Sequence, residues 1–132
     1  MIYLLDTDIC IYFLEGKAPR VRERMHHLTP EDLGTTVITA AELHYGAQHS
    51  GRAAQNLARI ETFLRSIIQI PFDASCAARY GELKQALASR GALIGPMDLL
   101  IAAIALTHDA ILVTNNAREF ERIPGLRTET WL

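Results

Sequence analysis

The sequence predicts an α/β fold in which helices cover both faces of a mainly parallel sheet of four or five strands. Three observations predict it: short apolar runs alternate with longer segments of helical periodicity, no linker or low-complexity tract interrupts them, and a length of 132 residues suits one domain. With 49% hydrophobic and 21% charged residues, the composition is that of an ordinary globular protein. We therefore expect residues 1–132 to form a single three-layer α/β/α domain.

The first predicted elements are a strand and two helices. Ile2–Leu5 is a short apolar run that ends at an acid, which is typical of a buried strand. Asp8 precedes a helical segment over Ile9–Leu14 and suits its N-cap, because its side chain can accept a hydrogen bond from a free N–H group of the first turn. Pro19 then opens a second helix, since proline is well tolerated at the first helical position.

The middle of the chain predicts two more strands and two more helices. Thr35–Thr39 is rich in β-branched residues and is interpreted as the second strand. Ala40–Gln48 follows as a helix. Apolar residues at helical spacing predict a long amphipathic helix through Leu57–Ile67, and Ile68–Phe72 is the third strand.

In the last third of the chain, predicted helices and strands continue to alternate. Asp73 is the predicted N-cap of a helix that runs through Arg90. The next helix, Leu99–His108, is apolar almost all round, which indicates that it is buried. Ile111–Thr114 is the predicted fourth strand, and Arg127–Thr130 is a candidate for a last strand at the edge of the sheet.

Acidic and amide side chains are predicted where the parallel strands end, which is the edge at which open α/β sheets bind ligands. Asp6 ends the first strand, and Glu42 lies about one turn into the helix after the second. Asn116 and Glu119 follow the fourth strand. Asp98 starts the helix that leads into the fourth strand, so it joins the others only if the preceding turn returns the chain to this edge.

Three of these acids suggest a metal site. If Asp6, Glu42 and Asp98 converge, their charges repel, and at least one takes up a proton unless a cation binds. Oxygen ligands without His or Cys favour a hard cation, Mg²⁺ or Mn²⁺. Such an ion activates water and stabilises charge on a phosphodiester, so the predicted chemistry is metal-assisted hydrolysis at phosphorus. Taken singly, each acid also has a structural interpretation as a turn former, a helix-dipole partner or a solvated side chain.

Two other functions stay open on the residues alone. Asp6-Thr7-Asp8 after a strand fits the first half of the DxDxT motif of aspartate-nucleophile phosphatases, although Cys10 replaces the motif's threonine. The second alternative is a binding domain that kept the fold without catalysis. Nucleotide-binding and serine-hydrolase motifs are absent, and the five histidines show no metal-ligand spacing.

Bulk charge does not indicate nucleic-acid binding, because the net charge is −2 and the pI is about 6.2. Eleven of the thirteen basic residues are Arg, however, and Arg pairs with phosphate and stacks on bases. Cys10 and Cys76 form no metal or redox motif, which fits reduced thiols in a cytoplasmic protein. We expect no signal peptide and no membrane segment, since no apolar run approaches the roughly 20 residues that span a bilayer.

Four blocks of sequence are spread over almost the whole chain. They are Leu4-Leu5-Asp6-Thr7-Asp8, Ala41-Glu42-Leu43 with Tyr45-Gly46, Gly95-Pro96-Met97-Asp98 followed by Ile101-Ala102-Ala103, and Val113-Thr114-Asn115-Asn116 with Glu119-Phe120. In content and order these blocks resemble those of PIN-domain ribonucleases. A narrower similarity, to the VapC toxins within that family, rests on Arg22-Glu23-Arg24, Gly95-Pro96, Thr114-Asn115-Asn116 and Arg127-Thr128-Glu129-Thr130-Trp131.

The resemblance implies a homodimeric, Mg²⁺-dependent endoribonuclease that cuts structured RNA such as tRNA, with the anticodon stem-loop of initiator tRNA as the candidate target. It also implies a VapB-like antitoxin whose C-terminal segment blocks the acidic site, and an assembly that binds operator DNA through the antitoxin. The family pattern further brings the start of the Asp98 helix to the other acids.

We assign hypothetical roles to five of these residues. Asp6 and Asp98 ligate the metal directly, and Glu42 binds it through water or orients the attacking hydroxide. The hydroxyls of Thr7 and Thr114 orient the carboxylates.

Asn116 and Glu119 complete the rim of the predicted site. Many family members carry Asp where this chain has Asn116, whose amide oxygen can ligate a metal but adds no charge. That departure argues against a second tightly bound metal, unless Glu119 compensates through a water molecule.

Overall fold

Five short strands form one parallel sheet, which confirms the predicted sheet type. In the computed structural model, which describes residues 1–132, the strands are β1 (Tyr3–Leu5), β2 (Leu33–Thr36), β3 (Ile68–Ile70), β4 (Ile111–Val113) and β5 (Arg127–Glu129). Their order across the sheet is β3-β2-β1-β4-β5. The central strand β1 therefore ends between the ends of β2 and β4, so residues that follow these three strands meet at one edge, the carboxyl edge of the sheet.

Seven helices connect and cover the strands, and none is both long and apolar enough to cross a membrane. A short 3₁₀ turn over Pro30–Asp32 leads into β2. The helices are α1 (Thr7–Leu14), α2 (Pro19–His26), α3 (Val37–Gln48), α4 (Ala53–Arg65), α5 (Ala74–Ser89), α6 (Pro96–Thr107) and α7 (Ala117–Phe120).

Two apolar cores, one on each face of the sheet, hold the helices in place. Successive strand residues point to opposite faces, so Leu4 belongs to one core and Leu5 to the other, and both are fully buried. Residues of α5 and α6 fill the first core, and residues of α1, α2, α3 and α4 fill the second. The predicted three-layer α/β/α arrangement is therefore confirmed.

The second strand ends three residues before its predicted boundary. Val37, Ile38 and Thr39, which we expected in the strand, form the first turn of α3. The hydroxyl oxygen of Thr36 accepts a hydrogen bond from the Thr39 N–H (3.0 Å) and caps the helix. The β-branched residues predicted the wrong element, because strand propensity is weak beside a specific helix cap.

Helix α1 begins two residues before its predicted start, and its N-cap is Asp6 rather than Asp8. Oδ1 of Asp6 accepts a hydrogen bond from the Thr7 N–H (2.8 Å). Asp8 lies inside the first turn, where its Oδ1 accepts from the Ile9 N–H (2.7 Å). Because β1 ends at Leu5 and the helix follows without a loop, Asp6 is the residue left for the cap.

Helices α5 and α6 run antiparallel, which explains how Asp98 reaches the carboxyl edge. Asp73, the predicted and observed N-cap of α5, has its pKa lowered by its capping hydrogen bond and, more weakly, by His108 at the end of α6. At the opposite end, Arg122 beyond α7 donates a hydrogen bond to the carbonyl of Leu93 (3.0 Å). The end of α5 and the start of α6 therefore lie beside the loop that follows β4.

Candidate active site

Asp6 stands at the centre of the carboxyl edge and is only 5% exposed. Its N–H donates to the carbonyl of Val113 (2.9 Å), which continues the pairing of β1 with β4. Its Oδ2 accepts a hydrogen bond from the Thr114 hydroxyl (2.7 Å), while its Oδ1 caps α1. Both carboxylate oxygens are thus positioned by the chain itself.

Glu42 reaches the same neighbourhood from α3. Its Oε1 accepts a hydrogen bond from the hydroxyl of Thr7 (2.6 Å), the residue that follows Asp6. Oγ1 of Thr7 also lies 3.0 Å from Oγ1 of Thr39. Thr7 and Thr114, which we expected to orient carboxylates, are therefore hydrogen-bonded to Glu42 and Asp6 respectively.

Asp98 enters from the other side of the edge, in the first turn of α6. A methyl group built on Gly95 would lie 3.8 Å from both Oδ2 of Asp98 and Oε1 of Glu119, so these two carboxyl groups surround the turn. The Gly95 N–H donates to Oε1 of Glu119 (2.9 Å). The turn before α6 is thus tied to α7.

Asn116 links Glu119 to the end of β4. Its side-chain amide donates to Oε2 of Glu119, and its backbone N–H donates to the hydroxyl oxygen of Thr114 (3.0 Å). Since the same hydroxyl donates to Asp6, a continuous set of hydrogen bonds joins Glu119 to Asp6. All five predicted catalytic residues therefore lie along one edge.

Asp8 is a further acid at this edge that the sequence analysis assigned only to a helix cap. Its Oδ2 accepts a hydrogen bond from the Asn115 N–H (3.1 Å), which ties the start of α1 to the loop after β4. The Asp6-Thr7-Asp8 block could have indicated that Asp8 lies at the site. We interpreted Asp8 only as a helix cap, because that explanation was sufficient for an acid before a helix. We use the term acid cluster for the set Asp6, Asp8, Glu42, Asp98 and Glu119.

The carboxyl groups of the acid cluster change each other's protonation. Burial raises the pKa of Asp6 to about 6, against an opposing hydrogen bond from Thr114, and repulsion from neighbouring carboxylates, including Glu42, adds to the rise. Burial also raises the pKa of Asp98 to about 7, with further contributions from a hydrogen bond to Glu119 and from repulsion by Asp6 and Glu42. Asp6, Glu42 and Asp98 are therefore close enough to interact electrostatically.

No basic side chain neutralises the acid cluster. The four salt bridges of the protein use other carboxylates, namely those of Asp32, Glu15, Glu129 and Asp109. No group of three or more His, Cys, Asp or Glu side chains is arranged to hold a metal ion by itself. The donors are all oxygens, which suits a hard divalent ion that takes one or two carboxylates directly and completes its shell with water.

The residues required for an aspartate-nucleophile phosphatase are not in place. Cys10, at the position of the motif's threonine, is fully buried in the core. The two lysines lie elsewhere, with Lys17 beside Glu15 (3.5 Å) and Lys84 beside Tyr80 on α5. A phosphate group at Asp6 would meet acids and no cationic side chain.

Comparison with known protein sequences places the chain among nucleases. The sequence pattern of the PIN domain matches residues 3–126. The chain is 43% identical to the tRNA(fMet)-specific endonuclease VapC of Shigella flexneri over 129 residues, which cover 98% of this chain and 97% of that protein. It is 40% identical to Ribonuclease VapC2 of Rickettsia felis over 132 residues, which cover 99% and 98% of the two proteins.

The fold also matches a solved toxin–antitoxin structure. A chain in the crystal structure of VapBC2 from Rickettsia felis, bound to a DNA fragment from its promoter, matches with a TM-score of 0.94. The two chains are 39% identical, and the match covers 100% of each. The chain therefore belongs to the PIN-domain family, among its VapC ribonucleases.

Proposed function

We propose that this chain is the toxin of a VapBC-type toxin–antitoxin pair, an endoribonuclease that cuts tRNA and favours initiator tRNA. The observation that carries the proposal is the acid cluster, in which four separate parts of the chain bring carboxylates to one edge without a basic neighbour. The choice of substrate is supported by the relative from Shigella flexneri, a tRNA(fMet)-specific endonuclease of nearly the same length.

The proposed cofactor is Mg²⁺, for which Mn²⁺ can substitute. Asp6 and Asp98 would hold the ion directly and Glu42 through water. This division agrees with the lack of a preformed group of three ligands, because Mg²⁺ commonly retains several waters. When bound, the ion lowers the pKa of water and neutralises charge on the phosphodiester.

The chain's own residues position the reactants of the hydrolysis. Glu42, held by Thr7, accepts a hydrogen bond from the attacking water and directs its oxygen towards phosphorus. The water oxygen forms a bond to phosphorus and its proton passes to Glu42, while the bond from phosphorus to the leaving ribose oxygen breaks and that oxygen takes up a proton from solvent. Thr114 keeps Asp6 in place, so the carboxylate does not have to be ordered during the reaction.

A VapB-like antitoxin is the proposed protein partner, within an assembly that contains a homodimer of this chain and binds operator DNA through the antitoxin. The DNA-bound VapBC complexes from Rickettsia felis and Salmonella typhimurium support the assembly. A basic side chain from the antitoxin would compensate the acid cluster, which has no cationic partner of its own.

Cleavage of purified tRNA tests the proposal. The chain is incubated with initiator tRNA or elongator methionine tRNA, with Mg²⁺ or with EDTA. We expect wild-type chain to cut initiator tRNA only when Mg²⁺ is present, and we expect the Asp98→Ala variant to remain folded and inactive. Absence of cleavage by the wild type across a panel of RNAs with Mg²⁺ and Mn²⁺ would instead favour a binding domain.

A further inference from the structure

We propose that Tyr45, stacked on His49, is a platform for an unpaired base of the RNA next to the bond that is cut. The inference rests on the proposed ribonuclease function and deepens it. The RNA would present an unpaired base that is not stacked within its own helix, so that one face of the base is free to stack on Tyr45.

Tyr45 is the most exposed large apolar side chain of the protein, with 69% of its area open to solvent. A single exposed apolar residue needs no explanation by itself. The position, the partner and the surroundings of this ring together point to a ligand.

His49 holds the ring of Tyr45 in a defined orientation. The two rings are stacked, with centroids 5.7 Å apart and planes inclined by 13°. His49 lies about one helical turn after Tyr45 and is exposed as well. The stack orders one face of the tyrosine ring and leaves the other free, and a free aromatic face is what proteins use to bind unpaired bases.

Tyr45 lies three residues after Glu42 on α3, so the two side chains occupy neighbouring positions on one side of the helix. Ile38, about two turns before it and therefore on nearly the same stripe, packs against the core that contains Leu99 and Ile101 of α6. Glu42 lies between Ile38 and Tyr45 on this helix. The stripe therefore places Tyr45 about one helical turn beyond Glu42 along α3.

The charge of the site favours a base over a phosphate at this position. The acid cluster repels the RNA backbone, and no salt bridge supplies a cation there. Two further exposed apolar side chains, Leu93 (46% exposed) and Met97 (45% exposed), lie within five residues of Asp98 in the chain. Exposed apolar side chains near the acid cluster therefore offer contacts that a base can make and a phosphate cannot.

Fluorescence of 2-aminopurine tests whether a base stacks on this ring. A single-stranded RNA that spans the cut of the wild-type substrate carries 2-aminopurine on either side of the cut. It is bound to the full-length Asp98→Ala variant so that it stays intact. We expect quenching on binding at one of the two positions, loss of that quenching when Tyr45→Ala is added, and retention with Tyr45→Phe.

Kinetics of the otherwise wild-type chain provide the second readout. We expect Tyr45→Ala to raise KM about tenfold or more, the size of effect typical of a lost base stack, and to change kcat by less than about threefold. Tyr45→Phe should restore KM. Tyr80→Ala, which removes a half-buried tyrosine of α5 beside Lys84, is the matched control and should change neither KM nor quenching.

The possible outcomes separate this inference from the proposed function. If the wild type cuts no RNA, the proposed function and this inference both fail. If the wild type cuts RNA but Tyr45→Ala has unchanged KM and quenching, only the base platform is wrong. A lower particle mass of Tyr45→Ala in light scattering would overturn the inference too, because the ring would then belong to an interface between copies of the chain.

Discussion

The acid cluster has two sides that hold their carboxylates in different ways. On the strand side, Asp6 and Glu42 are held by the hydroxyls of Thr114 and Thr7 at distances of 2.7 and 2.6 Å. Asp6 and Thr114 directly follow strands, and Thr114 is fully buried. Thr7 opens α1, and Glu42 lies in the second turn of α3. A hydroxyl donor lowers the pKa of the carboxylate that it binds, but at Asp6 burial outweighs this effect and raises the pKa to about 6.

On the loop side, Asp98 and Glu119 depend on a turn and on the four-residue helix α7. The Gly95 N–H and the Asn116 amide both donate to Glu119. Burial, together with the neighbouring Glu119, raises the pKa of Asp98 to about 7. Asp98 on the loop side therefore takes up a proton at a higher pH than Asp6 on the strand side. We infer that the strand side sets the geometry of the site and that cation and pH act on both sides, most strongly at Asp98.

The largest expected effect is that of Asp98→Asn, which keeps the shape of the side chain and removes its charge. We expect the rate of RNA cleavage at saturating Mg²⁺ to fall more than about a hundredfold, since the loss of a metal ligand should exceed the 10–100-fold cost of losing a group that orients one. The melting temperature should stay the same or rise, because repulsion is relieved. Glu61→Ala, an exposed acid of α4, is the control. A loss below about tenfold would remove Asp98 from the set of ligands.

Thr114→Val tests the strand side and should have the next largest effect. It removes the hydrogen bond to Asp6, so we expect cleavage to fall about 10–100-fold and the free energy of unfolding at neutral pH to fall by about 1–3 kcal/mol. Thr35→Val is the matched control, because Thr35 is equally buried and its hydroxyl donates to the carbonyl of Leu5 (2.7 Å). Denaturation should show a similar loss for both variants, but cleavage should suffer only in Thr114→Val.

The stability of the metal-free protein should decrease as the pH rises. The pKa values of about 6 for Asp6 and about 7 for Asp98 lie above the ordinary value of 3.8, so the folded state keeps protons that the unfolded state has lost. The resulting stabilisation is complete below about pH 4 and disappears as the pH rises through 6 to 7.

Urea unfolding in EDTA at about pH 5 and about pH 8 measures this dependence. The free energy of unfolding should be lower at pH 8, and added Mg²⁺ should restore part of the difference. Asp98→Asn should flatten the dependence. If the free energy of unfolding depends equally on pH in wild type and variant, Asp98 is not the group that holds the proton.

The smallest expected effect is that of Glu119→Gln on the loop side. Glutamine keeps an oxygen for the Gly95 N–H but brings no charge, so the pKa of Asp98 should fall towards its ordinary range. We expect cleavage below about pH 6.5 to rise a few-fold over wild type, with little change near pH 8. The pH–rate profiles of the two proteins measure this, and coincident profiles would show that Glu119 does not control Asp98.

Most of the fold was predictable because its signals are local. Apolar runs and helical periodicity predicted the parallel sheet, and Asp73 was correctly predicted as the cap of α5. The errors lie where one hydrogen bond moves a boundary. Thr36 caps α3 inside a run of β-branched residues, and Asp6 caps α1 in place of Asp8.

The strand side of the site was also predictable, and the loop side was not. Asp6 directly follows β1, and Glu42 lies in the helix that follows β2, so parallel topology brings them to one edge. The position of Asp98 depends on the antiparallel course of α5 and α6, which no periodicity in the sequence reveals. Only the resemblance to PIN domains led to the expectation that Asp98 would join the other acids.

Asp6 caps α1 and also accepts a hydrogen bond from Thr114. These two structural roles matter when an inactive variant is chosen for RNA-binding experiments or for expression without an antitoxin. Asp6→Ala removes the cap of α1, at a cost of about 0.5–2 kcal/mol, and leaves the buried Thr114 hydroxyl without its acceptor. Harmless expression of that variant could therefore reflect low abundance of folded protein rather than lost chemistry. Asp98→Asn, whose side chain caps no helix, is the cleaner reagent for separating toxicity from folding.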